Sequence, residues 1–181
     1  MSLTVLAIGV TGIVAMQQVT VVAHQHAKNL AIATHIAQAW IDRLVTDAGQ
    51  WNHPSATRAS TDIGETRWLR KVDEEDSWFQ PENDDDLGFG PAFDALGDWT
   101  NDNNLATYCT HLRLKRLFPD DQGNGLIRAE VRVFWIKPGV GGIDNEPLCG
   151  LNTDEEAIGD AIENYHFVYM TSAIRQNQAR P

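Results

Sequence analysis

The first stretch of the chain is apolar on every side. Between Leu3 and Met16 the only polar side chains are two threonines, and no charged residue precedes Lys28. Such a helix must be covered by lipid or by neighbouring helices, and residues 1–23 are just long enough to cross a bilayer, which takes about 20 residues. We therefore predict a helix that lies in a membrane or in the core of a protein assembly. Its apolar and glycine positions are Leu3, Val5, Leu6, Ile8, Gly9, Val10, Gly12, Ile13, Val14 and Met16.

The stretch that follows is amphipathic. Apolar residues recur at helical spacing from Leu30 to Leu44, with charged and amide side chains on the opposite side. No proline interrupts the pattern, so one helix is predicted as far as Asp47, roughly 70 Å long at 1.5 Å per residue. Gln17 and Gln18 argue against a plain lipid anchor, because amides in lipid need partners. A simple membrane anchor remains the alternative.

Strands are predicted only late in the chain. Residues 126–136 alternate most clearly between apolar and polar side chains, and residues 108–118 alternate before them. Turn-forming residues connect the two segments, and a third strand over 165–174 completes an antiparallel meander. Residues 51–107 give no such pattern. They could add two strands, and their aromatic part, 87–99, is expected to be a loop packed on the core.

The apolar faces of the strands indicate how they pair and what covers them. Matching these faces places Leu114 near Val131 and Leu112 near Val133. The amphipathic half of the helix is expected to cover the same face. The residues predicted to meet there are Ala33, Ala37 and Trp40 on the helix and Val131, Val133 and Trp135 on the strand. The predicted fold is α+β, a long N-terminal helix (1–47) packed on an antiparallel sheet with long loops in a head domain (48–181).

The charge of the chain is acidic and unevenly placed. The formal net charge is −11, and residues 1–47 sum to zero, so the excess lies on residues 48–181. Phosphate backbones are bound by clustered Lys and Arg. The acidic head domain therefore disfavours nucleic acid as a partner, and it disfavours electrostatic adhesion to anionic lipid as well.

The two cysteines, Cys109 and Cys149, both lie outside the predicted helix. A chain whose N-terminus is directed to a membrane is typically exported, and exported domains form disulfides. The predicted hairpin places Cys109 beside the end of the second strand, and Cys149 lies in the loop that leaves that end. We therefore predict one Cys109–Cys149 disulfide. Two buried free thiols are the alternative.

The sequence offers few candidates for chemistry. His24 and His26 are two residues apart, whereas metal ligands on one helix face need a spacing of about four, so surface histidines are expected. The acidic loops at 84–86 and 120–125 could coordinate calcium through oxygen ligands, although neither has the EF-hand spacing, and solvated loops are the alternative. No nucleophile elbow, phosphate loop or zinc-protease motif is present. We expect no enzyme, no catalytic residue and no resident metal or cofactor.

The order of these elements resembles that of type IV pilin-like proteins. The run from Leu3 to Gly12, with its Leu-Ala-Ile-Gly and a second glycine, is similar to the N-terminal helix of PilV-type minor pilins. The segments 40–44, 128–135 and 165–174 resemble the end of that family's helix and its last two strands. Residues 51–107 have no counterpart. This sequence does not contain the family's processing leader and N-terminal glutamate, and aligning Leu-Ala-Ile-Gly with the family suggests that they lie upstream of Met1.

The resemblance implies a structural role, that of a low-copy subunit in a type IV pilus. Its helix would wait in the inner membrane and then pack against other pilins and minor pilins in the filament core. The protein would then lie on the pilus at the surface of a Gram-negative bacterium. A bulky, acidic head suits a tip or priming position better than a many-copy lattice, where like charges would repeat. The alternatives are a minor pseudopilin of type II secretion and, of another class, a membrane-anchored periplasmic binding domain.

Overall fold

A single long helix opens the structure, a computed structural model that describes residues 2–52, 63–73, 77–117, 125–140, 148–149, 158–159 and 162–175. Helix α1 runs from Ser2 to Asp47 without a break. By compactness the chain divides within this helix into two units, Met1–Ile32 and Ala33–Pro181. Across the described residues, no helix is both long and apolar enough to cross a membrane.

The second unit contains a four-stranded antiparallel sheet with the strand order β1-β2-β3-β4. The strands are β1 (Ala92–Phe93), β2 (Tyr108–Arg116), β3 (Leu126–Ile136) and β4 (Tyr165–Arg175). The last 15 residues of α1 pack on this sheet, and the α+β prediction is confirmed. The predicted bounds of β3 were correct, and β4 extends one residue beyond its prediction.

The predicted register of the β2–β3 hairpin was wrong by two residues. Leu112 lies opposite Val131, and Leu114 lies opposite Ala129. A shift of two residues keeps every side chain on its face, so matching the apolar faces cannot distinguish the two registers. The observed register gives buried Ile127 a partner at the end of β2, and the Leu117 N–H closes the hairpin by donating to the Leu126 carbonyl over 2.9 Å.

The two faces of the sheet have different surroundings. The first face carries the odd-numbered residues of β3 from Ile127 to Trp135, and all of them are buried. The second face carries Phe134, which belongs to a separate buried cluster. The members of that cluster are Ala92, Cys109, Phe134, Leu148, Cys149, Ile158 and Tyr165.

The segment between helix and sheet contains more structure than its sequence pattern indicates. It holds short 3-10 helices at Gln50–Asn52, Ile63–Glu65, Leu69–Asp73 and Asn103–Leu105. Phe79 makes two 2.8 Å backbone hydrogen bonds with Leu112, so this segment also borders the edge of β2. The structure adds one two-residue strand here, β1, within the aromatic part that was expected to be a loop.

Candidate functional site

Asp47, the last residue of α1, joins the helix to the segment that follows. Its carboxylate accepts hydrogen bonds from the backbone N–H groups of Arg67, Trp68 and Leu69 over 2.8, 2.9 and 3.1 Å. The side chain is buried. Hydrogen bonds to a charged acceptor are about twice as strong as neutral ones, so the end of the helix is fixed to a specific stretch of backbone.

An aromatic cluster surrounds Trp40, which lies about two helical turns before Asp47. The Trp40 ring lies 5.4 Å from that of Trp68 and 4.7 Å from that of Phe89, measured between centroids. Phe89 also contacts Phe93 at 5.6 Å, and the Arg43 guanidinium lies 4.9 Å above the Phe89 ring. Aromatic pairs of this kind add about 0.5–1.5 kcal/mol each beyond the burial of their surface. Phe89 and Phe93 are therefore part of the hydrophobic core.

The six residues predicted to join helix and sheet are all buried. Each is no more than 2 % exposed: Ala33, Ala37, Trp40, Val131, Val133 and Trp135. This burial agrees with packing of the helix on the first face of the sheet. Which helix residue meets which strand residue stays a prediction.

The predicted disulfide is present. Cys109 on β2 is bonded to Cys149, with Cα atoms 5.4 Å apart and both residues fully buried. That separation is typical of a disulfide. The bond closes a loop of 40 residues that contains all of β3 and anchors residues 148–149 in the buried cluster of the second face.

The second face also holds a buried polar group that the sequence analysis missed. Arg132 donates from Nη2 to Nδ1 of His111 over 2.8 Å, and both residues are buried. The Arg132 guanidinium also stacks on the Trp78 ring at 4.6 Å. Because arginine can only donate, Nδ1 is the acceptor and the imidazole proton lies on Nε2. Alternation in β2 and β3 places residues 111 and 132 on one face, but only the correct register makes them neighbours.

His111 makes the stability of the fold depend on pH. Burial, and next the Arg132 charge, lower the pKa of His111 from 6.5 to about 3. Between pH 3 and pH 6.5, His111 therefore carries a proton in the unfolded chain that it lacks in the folded chain. Stability is highest above pH 6.5 and falls as the pH is lowered towards 3. At pH 5 the expected loss from this residue is about 2 kcal/mol.

We expect His111→Gln to remove this contribution, since glutamine stays neutral and its oxygen can accept from Arg132. Urea unfolding at several pH values between about 5 and 7.5 would measure it, with His35→Gln, at an exposed position of α1, as the matched control. When the pH is lowered from about 7.5 to about 5, the free energy of unfolding should fall by about 2 kcal/mol less in His111→Gln than in the control. Parallel pH profiles for the two variants would contradict the prediction.

The first acidic loop is held in place by hydrogen bonds and an ion pair of Asp84. The Asp84 carboxylate accepts from the Leu87 N–H over 3.0 Å and pairs with Arg67 Nε at 3.0 Å, and the residue is 2 % exposed. Backbone hydrogen bonds between Asp84 and Phe89 close a turn over residues 84–89, which we call the acidic turn. Within the described residues, no group of three or more His, Cys, Asp and Glu side chains is placed to hold a metal ion. Residues 120–124 of the second acidic loop lie outside the described residues.

The apolar half of α1 leaves large side chains exposed. Val14, Met16, Val19, Val21 and Val22 are between 46 % and 74 % exposed. The side chains of the other predicted assembly positions, from Leu3 to Ile13, lie outside the described part of the chain. His24, His26 and His35 are exposed, as expected of surface histidines.

No family model, curated protein or solved structure matches the chain. Its architecture, one N-terminal helix packed on an antiparallel sheet, is compatible with a pilin-like fold.

Proposed function

We propose that the protein is a minor, low-copy subunit of a type IV pilus, of the PilV type. In this role α1 lies in the inner membrane before assembly and then packs among the helices of other pilins and minor pilins. The head domain is exported and lies on the filament at the cell surface of a Gram-negative bacterium. The proposal requires no catalytic group and no cofactor.

The observation that carries the proposal is the exposed apolar surface of the first unit. Five large apolar side chains between residues 14 and 22 are exposed, and no charged residue lies before Lys28. Contiguous exposed apolar surface on a protein marks an interaction with another protein or with a membrane. A helix that first meets lipid and then other helices needs this character on all sides.

The head domain adds two further arguments. The Cys109–Cys149 disulfide suits an exported domain, because such bonds persist in oxidising compartments. The Asp47 carboxylate and the cluster around Trp40 fix the end of α1 to the head. A filament subunit needs such a connection, because its helix lies in the filament core and its head at the surface.

A type II secretion pseudopilin would share all these features, so the two are separated by genetics. Neighbouring genes for pilus assembly favour the pilus, and genes for the export of hydrolases favour secretion. The binding-domain alternative was motivated by the aromatic residues 87–99. Phe89 and Phe93 are buried against the core, so these two rings do not form an open binding surface.

Deleting the gene in its native host tests the proposal. We expect loss of surface pili, counted by electron microscopy, together with loss of twitching motility, and recovery of both when the intact gene is supplied. Normal piliation and motility in the deletion strain would contradict the pilus function. Normal piliation combined with loss of hydrolase secretion would favour the pseudopilin instead.

A helix variant tests the observation that carries the proposal. Val19→Asp/Val22→Asp places two charges on exposed apolar positions and should fail to restore pili. His24→Asp/Gln25→Asp places two charges on neighbouring exposed polar positions and should restore them. Both variants must reach the wild-type level in membranes, measured by immunoblotting. Equal complementation by the two variants would contradict a role for this apolar surface.

A further inference from the structure

Two amide side chains interrupt the exposed apolar surface of α1. Gln17 and Gln18 are exposed, and they lie between Met16 and Val19, which are 74 % and 70 % exposed. Among the described residues, neither amide has a hydrogen-bond partner. Water would satisfy both amides, but a helix that lies in lipid or among other helices has no water around it. The surface that carries the proposed function therefore contains two polar groups that need partners.

A hydroxyl in the same turn of the helix is satisfied in a different way. Thr20 donates from Oγ1 to the Met16 carbonyl over 2.9 Å. The short threonine side chain reaches a carbonyl four residues earlier in its own helix, so Thr20 needs no second chain. A glutamine amide presents two donors and one acceptor oxygen. Gln17 and Gln18 direct all of these groups to their surroundings, and a polar group without a partner in hydrocarbon is costly.

The two amides share one side of the helix with two valines. At about 100° per residue, Val14, Gln17, Gln18 and Val21 fall within an arc of about 100°, and we call these four residues the amide face. Val14 and Val21 are 46 % and 55 % exposed. Val19 lies on the opposite side of the helix. The amides thus lie in one turn, with an exposed valine one turn before them and another one turn after them.

The amide face complements a second copy of itself. Acyl chains offer an amide no donor and no acceptor. Copies of one protein enter a membrane in the same orientation, so two of their helices pair in parallel and identical residues meet at the same depth. Because a primary amide both donates and accepts, glutamines at the same level can exchange hydrogen bonds across a two-fold axis. A helix of another protein would need a polar side chain at the same depth, whereas a second copy always has one.

The remainder of this stretch favours the same contact. No charged residue precedes Lys28, so no like charges oppose the close approach of two copies around residues 14–21. The flanking valines give apolar contact above and below the amides and exclude lipid from them. A polar residue at one level of a helix pair also fixes its register. The amides therefore specify which residues of the two helices meet.

We propose that two copies of α1 pair in parallel through the amide face, with Gln17 and Gln18 of one copy hydrogen-bonded to those of the other. The inference rests on the proposed function, because that function places α1 in a membrane before assembly. It identifies the partner that the helix meets there and the side chains that hold this partner.

Sedimentation equilibrium of the full chain in density-matched non-ionic detergent tests the pairing. Gln17→Leu/Gln18→Leu removes both amides and keeps side chains of similar size. Gln17→Asn/Gln18→Asn retains the amides on shorter side chains. Thr20→Val is the matched control, because it removes a polar group whose hydrogen bond lies within its own helix. Circular dichroism verifies that all the variants keep the helix content of the wild type.

We expect the wild type to form dimers and the leucine variant to dissociate about tenfold more readily, as the loss of two hydrogen bonds between membrane helices predicts. The asparagine variant should keep most of the association. Thr20→Val should change the dissociation constant by less than about twofold.

Cysteine cross-linking in phosphatidylcholine vesicles tests which side of the helix is in contact. Val21→Cys places a thiol on the amide face, and Val19→Cys places one on the opposite side. The native cysteines are bonded to each other, so the introduced thiol is the one available for oxidation. We expect Val21→Cys to give several-fold more cross-linked dimer than Val19→Cys on a non-reducing gel.

Three results would overturn the pairing. A monomeric wild type would leave the amide face to lipid or to the helix of a different protein. A leucine variant that associates as tightly as the wild type would show that the amides do not hold the contact. Equal cross-linking at positions 19 and 21 would show that the helices have no fixed contact face. Pili are not measured in these experiments, so the proposed function is judged separately, by the deletion strain.

Discussion

Replacing Cys109 and Cys149 together by alanine is expected to lower the free energy of unfolding by about 4 kcal/mol. In the chain-entropy model, a bond that closes a loop of 40 residues stabilises a protein by roughly this amount, because the unfolded chain loses open conformations. Both cysteines are fully buried, so alanine, which introduces no polar group, is the suitable replacement. Chemical unfolding of the oxidised wild type and of the double variant, followed by tryptophan fluorescence, measures the difference.

The control for the disulfide is the wild-type protein unfolded under reducing conditions, which should lose about as much stability as the double variant. Thiol titration of the denatured, unreduced protein should find no free thiol. Two free thiols in the exported protein would contradict the bond. The proposal that the head domain is exported would then lose the support of the disulfide. The β2–β3 register would stand, since it rests on the backbone pairing.

Replacing Asp47 by alanine is expected to cost about 3–5 kcal/mol. The change leaves the N–H groups of Arg67, Trp68 and Leu69 without their charged acceptor, and each buried polar group left unsatisfied costs roughly 1–3 kcal/mol. Asp47→Asn keeps one acceptor oxygen and should lose less. Urea unfolding at pH 7 measures both variants.

Asp42→Ala is the matched control for Asp47. Asp42 is an exposed carboxylate little more than one turn earlier in α1, so its removal should change the unfolding free energy by less than about 0.5 kcal/mol. Equal losses in Asp42→Ala and Asp47→Ala would show that the three hydrogen bonds contribute little. The position of the helix end would then depend on the Trp40 cluster alone.

The elements with a long, regular pattern could be predicted from the sequence. The amphipathic half of α1 and strand β3 each bury one regular set of apolar side chains, and the end of α1 and both ends of β3 follow from that periodicity. The hairpin register could not be derived in the same way, because a slip of two residues preserves both faces. It depends on the length of the connection and on the burial of Ile127.

Contacts between distant parts of the chain escaped prediction for a different reason. Asp47 reads as an ordinary acidic residue at a helix end, and its partners lie 20–22 residues further on, in a segment without periodicity. The His111–Arg132 pair needs a correct register to be seen.

The loop closed by Cys109 and Cys149 also has a mechanical consequence. Tension that travels along the chain passes directly through the sulfur atoms, since the bond provides a shorter covalent path than the backbone between two cysteines that are 40 positions apart. Nearly all of β2 and the whole of β3 lie inside this bypass, so pulling on the two ends of the protein cannot peel them apart. The disulfide therefore prevents roughly 130 Å of chain from extending, at about 3.3 Å per residue. Under force, the hairpin at the centre of the sheet remains paired while the segments outside the loop extend.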